Sequence, residues 1–457
     1  MSNDDNQQRR LLEDAAQRSL NFRESIGARR VAPSADATAA VDRFRQSLPE
    51  TGVPDEEVLA TLDELGSPAA VAMAGPRFFG FVIGGSLPVT VATNWLTTAW
   101  DQNVSMREIT PAAATLEEVS LAWLIDLFGL PPATGAGFVT GATVANFTAL
   151  AAARHRVCAV AGWDVEGLGL IGAPPITVII GDEAHPTLIK SLGLLGLGRS
   201  RVVRLPVDDQ GRIIAASMPP IDGPTIVCTQ AGNVNTGACD PIGEICSVVK
   251  PGGAWVHVDG AFGLWAAASP DHRHLVAGIE QADSWATDAH KWLNVPYDSG
   301  IAFVRRSGDL KAAMSITADY LATDTEFRNP SDFTPELSRR ARGVDVWAAL
   351  RSLGRQGVAE LVNRCCRHAR RFAAGFTTAG FEVLNEVVLN QVLVAFGDDA
   401  TTRRVIDAIQ RDGTCWCGVT VWQGRTAMRI SVCNWSTTAA DVEASLEAMI
   451  AIARSEV

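Results

Sequence analysis

The chain has 457 residues, 47% of them apolar and 20% charged, with a formal net charge of −12. That length exceeds what one small core organises and predicts two or three structural units, while the composition excludes disorder over most of the chain. The acidic balance, with no basic block to offset it, argues against a nucleic-acid or anionic-membrane binder.

The N-terminus, Met1-Ser2-Asn3-Asp4-Asp5, is polar and acidic, unlike a signal peptide. Residues 1–74 are charged and periodic: Leu11, Leu12, Ala15 and Leu20 make one weak helical stripe, and Val41, Phe44 and Leu48 another before Pro49. The acids at Asp55, Glu56 and Glu57 favour a further helix start. Helices with one narrow apolar stripe do not fold alone and need another surface to lie on. Gly75-Pro76-Arg77-Phe78-Phe79-Gly80-Phe81 then sets aromatic residues on a glycine-bounded turn, either a staple that packs a loop or the lining of a pocket. Two helices are expected between Pro88 and Leu130. The first carries Trp95, Leu96 and Trp100; the second follows Pro111, spaces Leu116, Val119, Trp123 and Leu127 along one face, and ends at Gly129 and Pro131.

From about 135 to 305, apolar β-type runs alternate with helical stretches, the pattern of a parallel sheet covered on both faces. Seven strands are expected, at 137–139, 176–180, 201–205, 225–229, 255–259, 284–287 and 301–304. Ligands gather at the carboxyl ends of such strands, and each motif of interest falls at one. Thr140-Gly141-Ala142-Thr143-Val144-Ala145-Asn146 is a small-residue turn that opens a helix. Its free backbone N–H groups and the Thr143 hydroxyl would suit a phosphate, although a tight strand-to-helix turn reads the same way. His185, held by Pro186 on a stiff turn, is a helix cap, a core histidine or a functional group. The run from Thr229 to Ile242 is rich in turn formers and offers Asn233 as a hydrogen-bonding side chain.

Asp259 ends a buried strand and either caps the next turn or meets a cation, for which a protonated pyridine nitrogen is one candidate. Small residues follow, where something flat could lie close to the backbone. Lys291 is flanked by Trp285, Trp292 and Leu293. Desolvation in that company would lower its pKa and leave a nucleophilic amine; alternatively its stem lies on an apolar surface and its head reaches water. Residues 316–343 are polar with little pattern, which predicts disorder or a functional lid. A long helix from Val344 and strands at 381–384, 391–395, 419–422 and 428–431 complete a smaller α+β unit. Arg429 lies within its last strand and needs either an internal acid or a substrate carboxylate.

The nine cysteines are odd in number and, apart from Cys365-Cys366 and Cys415-x-Cys417, are scattered singly. Neither pair has a second cluster at zinc-ligand spacing, so no metal is expected and the thiols read as reduced and buried. No apolar run reaches membrane-spanning length. The expectation is a cytoplasmic protein.

His-x-Asp-x-Ala at 257–261 and Ser-x-x-x-Asp-x-His-Lys-Trp at 284–292, with the motifs at 140–146, 181–187 and 229–242 in that order, resemble the pyridoxal-phosphate (PLP) dependent amino-acid decarboxylases, the group that also contains aromatic-amino-acid and glutamate decarboxylases. The resemblance covers about residues 75–440. It implies an α/β protein of the PLP-dependent transferase fold, type I. A large domain (75–315) would hold a mostly parallel seven-stranded sheet, followed by a lid (316–343) and a small C-terminal α+β domain (344–457). The helices of 1–74 would lie on the partner subunit of a homodimer with shared active sites.

For the site, the resemblance implies pyridoxal 5′-phosphate carried by Lys291, a ring nitrogen kept protonated by Asp259, and ring faces covered by His185 and Ala261. Ala142, Thr143 and His290 would bind the phosphate, with Asp288 beside them and Asn233 near the ring hydroxyl or phosphate edge. Arg429 would orient the substrate's α-carboxylate, and Phe79 and Phe81 would line its pocket. The chain departs from the family pattern at Gly75, where a histidine is usual, at Val144 for a glutamate, and at Asn233-Val234 for two threonines. The family's lid carries a tyrosine that protonates the carbanion; here neither Tyr297 nor Tyr320 sits at that loop tip, and Phe333 is nearby instead. The implied reaction is decarboxylation of an L-amino acid, leaning toward an aromatic or apolar side chain, to an amine and carbon dioxide. Two alternatives remain within the enzymes, an aldehyde-forming oxidative reaction and carbon–carbon cleavage, and one outside them, a non-catalytic scaffold.

Overall fold

Five helices precede the sheet: α1 (Asn3–Ser25), α2 (Ala35–Ala40), α3 (Asp55–Ala69), α4 (Pro88–Trp100) and α5 (Pro111–Phe128). The protein is represented by a computed structural model that describes residues 3–316 and 327–457. Proline stands at the first turn of both α4 and α5, where its missing N–H costs nothing. Gly129, at φ +67°, closes α5 by donating to the carbonyls of Ile125 and Asp126. The stripe expected over 41–48 shortens to a single 3-10 turn at Val41–Phe44.

The larger sheet contains β1 (Gly135–Val139), β2 (Thr177–Gly181), β3 (Val203–Leu205), β4 (Thr225–Gln230), β5 (Trp255–Asp259), β6 (Ser284–Asp288) and β7 (Gly300–Val304), in the order β1-β7-β6-β5-β4-β2-β3. Every expected strand is present to within two residues. β7 runs antiparallel to both neighbours, and the remaining pairs are parallel. β1, β4, β5, β6 and β7 are buried along their whole length, as strands covered on both faces must be. The connections carry α6 (Ala142–Val160), α7 (Val165–Leu168), α8 (Pro186–Leu194), α9 (Ile242–Val249) and α10 (Ser307–Met314).

The chain then enters α11 (Arg342–Thr378), which Gly354 interrupts at φ +60°. A four-stranded antiparallel sheet follows in the order β10-β11-β9-β8: β8 (Glu382–Val383), β9 (Gln391–Ala395), β10 (Gly418–Trp422) and β11 (Arg425–Ser431). α11 and α12 (Asp399–Asp412) lie on it, and α13 (Ala439–Glu456), opened by a reciprocal Thr438–Asp441 capping box, packs against those two helices. The aromatic turn at 75–84 belongs structurally to this end of the chain, since Phe79 donates its N–H to Trp416 and accepts from Ser431.

The polar stretch read as disorder or a lid is partly anchored. Arg328 and Arg339 both reach the buried Glu117, at 3.1 and 2.8 Å, and Phe333 is buried beneath the Arg328 guanidinium. Phe333 therefore packs against the sheet rather than standing at a loop tip. Tyr320 lies outside the described residues. No helix among the described residues is long and apolar enough to cross a membrane.

Candidate active site

The segments leaving β1, β2, β4, β5 and β6 meet over one cavity of about 330 Å³. It lies at the carboxyl ends of the strands, where the N-terminus of α6 also points. Lys291, Asp259, His185, Ala261, Ala142, Thr143, Asp288 and His290 all line it, so the structure brings these residues from four segments together.

Lys291 does not find the apolar surroundings its neighbours suggested. Trp285, Trp292 and Leu293 turn into the core, and the Lys291 Nζ lies 3.0 Å from Asp288 Oδ2. The other Asp288 oxygen accepts from the Ala142 N–H at 2.6 Å, so one carboxylate ties the lysine to the first turn of α6. His290 accepts the Ser299 N–H at Nδ1, stacks on Tyr297 at 4.2 Å, and is pushed down in pKa by burial. Tyr297 is thus a wall of the His290 pocket.

Asp259 is 5% exposed and accepts from Asn146 Nδ2 at 3.1 Å and from the Ala261 N–H at 3.3 Å. Burial pushes its carboxyl up; the nearby His185 and Lys291 and these two donors pull the other way. His185 caps α8, its Nδ1 accepting the Thr187 N–H at 3.3 Å, as the capping reading has it, and it also lines the cavity. Burial lowers its pKa. Gly232, at φ +90°, and Gly263 approach so closely that a Cβ on Gly263 would lie 2.2 Å from the Ala231 carbonyl, which leaves the cavity wall at backbone thickness.

Four expected site residues stand elsewhere. Asn233 is buried and accepts the N–H groups of Asn235 and Thr236, so it builds its own turn; its neighbours Val234 and Gly232 line the cavity instead. Phe79 is a core residue packed edge-on to Phe372 at 5.0 Å, the staple reading rather than the pocket reading. Phe81 is 62% exposed, stacked on Trp416 at 5.4 Å, and does not line the cavity. Arg429 has no carboxylate within 4 Å among the described residues. Its Nη1 meets the Val234 carbonyl and Asn235 Oδ1 at 3.3 and 3.4 Å, and burial lowers its pKa to about 10.

Sequence reasoning missed Gln230 and Thr187 as cavity residues and Asn294 as a clamp. The Asn294 side chain, at φ +57°, accepts from the N–H groups of Gly85 and Trp435 and donates to the carbonyls of Trp292 and Cys433. A Cβ on the neighbouring Gly84 would lie 1.9 Å from the Lys291 carbonyl. A polar residue three positions after a candidate nucleophile was the available signal.

A flat, anionic, nitrogen-containing ring fits these residues: a buried carboxylate at one end, thin walls beside it, and a helix N-terminus at the other. In comparison with known proteins, the family described as "Pyridoxal-dependent decarboxylase conserved domain" matches residues 42–397. Tryptophan decarboxylase 1 of Oryza sativa subsp. japonica is 26% identical over 90% of this chain and 87% of its own. Aromatic-L-amino-acid decarboxylase of Bacillus atrophaeus is 27% identical over 71% of this chain and 68% of its own. The solved structure of Oryza sativa TDC with PLP and tryptamine superposes with a TM-score of 0.90 at 23% identity, covering 100% of this chain and 99% of that one.

Proposed function

The chain belongs to the pyridoxal-dependent decarboxylases, and from that premise we propose how its own residues divide the work. Its reaction is the PLP-dependent decarboxylation of an amino acid, which makes it a carboxy-lyase. When bound, the cofactor supplies an electron sink for the pair left on the α-carbon as carbon dioxide departs. The observation that carries the residue assignment is that Lys291 Nζ and the Asp259 carboxylate open onto the same cavity.

In this reading Lys291 holds the cofactor, and Asp288 keeps that amine beside the first turn of α6. Asp259 would face the ring nitrogen and hold a proton there. His185 and Ala261 would hold the ring between them, Ala261 being small enough to leave room for it. The α6 N-terminus, the Thr143 hydroxyl and His290 receive the phosphate. Arg429, a half-buried cation with only neutral acceptors among the described residues, draws the substrate carboxylate by its field, which also reaches His185.

We further assign an aromatic or apolar substrate side chain. The names of two relatives support this, a tryptophan decarboxylase and an aromatic-L-amino-acid decarboxylase, while other relatives are named for acidic amino acids. A homodimer is supported by the apolar residues left uncovered on the N-terminal helices, among them Leu12 (63% exposed) and Leu62 (59%), beside Trp95 (43%) on α4. Nine buried, unpaired cysteines suit the cytoplasm. The test is product analysis on a panel of amino acids. Carbon dioxide and an amine from an aromatic substrate, lost in Lys291→Ala, are expected; ammonia and peroxide in place of the amine would overturn the reading in favour of aldehyde formation.

A further inference from the structure

Behind Asp259 lies a line of polar groups with almost no access to water. Asn146, His257 and Ser284 are each 0% exposed, and Trp255 is buried beside them. They come from α6, β5 and β6, and they are joined end to end. Trp255 Nε1 donates to Ser284 Oγ at 2.8 Å, and Ser284 Oγ meets His257 Nδ1 at 2.8 Å. On the other side of the ring, His257 Nε2 meets Asn146 Oδ1 at 2.9 Å, and Asn146 Nδ2 donates to Asp259 Oδ2 at 3.1 Å.

The Asp259 end fixes the direction of every hydrogen. Asn146 Nδ2 donates to Asp259, so Asn146 Oδ1 accepts from His257 Nε2, His257 Nδ1 is left as an acceptor, and the Ser284 hydroxyl, which accepts from the Trp255 indole N–H, donates to it. His257 then carries its proton on Nε2, facing an amide oxygen. Asn146 must present its oxygen to that proton and its NH₂ to Asp259. A protonated Asp259 oxygen would face a donor there and lose the bond, so the arrangement is complete only when that oxygen accepts. A neutral imidazole also suits the site, since burial pushes His257 down to about 3 and no charged group faces it.

We propose that Asn146, His257 and Ser284 are positioning residues, a one-way relay of donors that holds Asp259 as an aimed hydrogen-bond acceptor for the cofactor's ring nitrogen. The proposal rests on Asp259 facing that nitrogen. The residues that act on Asp259 from other elements are His185 and Lys291, both cationic when protonated and both across the cavity from the relay. Among the described residues the relay supplies the one side-chain hydrogen bond that Asp259 accepts, the other donor being the Ala261 N–H.

The test uses the full chain, stripped of PLP and titrated with it, reading PLP affinity and the pH profile of the visible absorbance without substrate. Asn146→Leu removes the donor at nearly the same volume. It is expected to weaken PLP binding about tenfold, the usual cost of one hydrogen bond to a charged group, and to shift the pH profile. The double change Asn146→Leu with His257→Phe leaves no orphaned polar group between them, so it should regain the melting temperature lost by the single change without regaining the affinity or the profile. Regaining all three would reduce the relay to packing and overturn the proposal. Should these variants not fold, Ser284→Ala, which removes one hydroxyl, should move the profile in the same direction by a smaller amount; an unmoved profile overturns it equally. Asp259→Asn separates the two levels: if it leaves the profile unchanged the ring-nitrogen reading itself fails, whereas a profile moved by Asp259→Asn and not by Asn146→Leu or Ser284→Ala rejects the relay alone.

Discussion

Burial pushes His257 down to about 3, against 6.5 for an exposed imidazole. Between those values the unfolded chain binds a proton there that the folded protein does not, so stability present above pH 6.5 is lost as pH falls toward 3. The loss is about 1.4 kcal/mol per pH unit across that window. Melting curves of the apoprotein between pH 7 and 4 should fall less steeply for His257→Phe than for the parent; parallel slopes would contradict the assignment. Asp259→Ala should lower the rate of decarboxylation far more than cofactor occupancy, and equal losses would mean a different role. At this scale much was legible. His257 and Asp259 alternate with Val256 and Val258, so period two alone puts both on one face of a buried strand. Phe79 was not legible, because a phenylalanine on a turn reads as pocket or staple until Phe372, far along the chain, is in place.

The turn that carries Lys291 is held by Asn294 to loop 84–87 and to residues 433–435. Asn294→Ala would orphan three buried backbone groups and one half-buried one, a loss of more than about 2 kcal/mol. Asn294→Gly loses the same bonds but accepts φ +57° without strain, so it should be less destabilised by about 1 kcal/mol. Urea unfolding of the two variants checks the order, and an alanine variant at least as stable as the glycine one would contradict it. The second anchor is the buried Glu117 between Arg328 and Arg339. Glu117→Ala leaves two guanidinium groups facing each other out of water, an expected loss of about 3–5 kcal/mol, where a loss below about 1 kcal/mol would show the triad to be ornamental. Neither anchor could be read from the sequence. Each joins segments more than 100 residues apart, and the stretch holding Arg328 and Arg339 looks merely polar. The strands, by contrast, announce themselves, since a strand buried on both faces is an unbroken apolar run.

Over the whole molecule, apolar residues on α1, α3 and α4 have no cover from the rest of the described residues. Sedimentation should report a dimer that Leu20→Glu with Leu62→Glu converts to monomers; a parent protein that sediments as a monomer would contradict the assembly. The N-terminal helices were expected to need another surface because each has a single stripe, and composition could go no further than that. The central claim is tested most directly by reducing the PLP-loaded protein with borohydride and locating the pyridoxyl group by peptide mass mapping. The chain has four lysines, Lys190, Lys250, Lys291 and Lys311. The account predicts the label on Lys291 alone, and a label on any of the other three, or none at all, would contradict it.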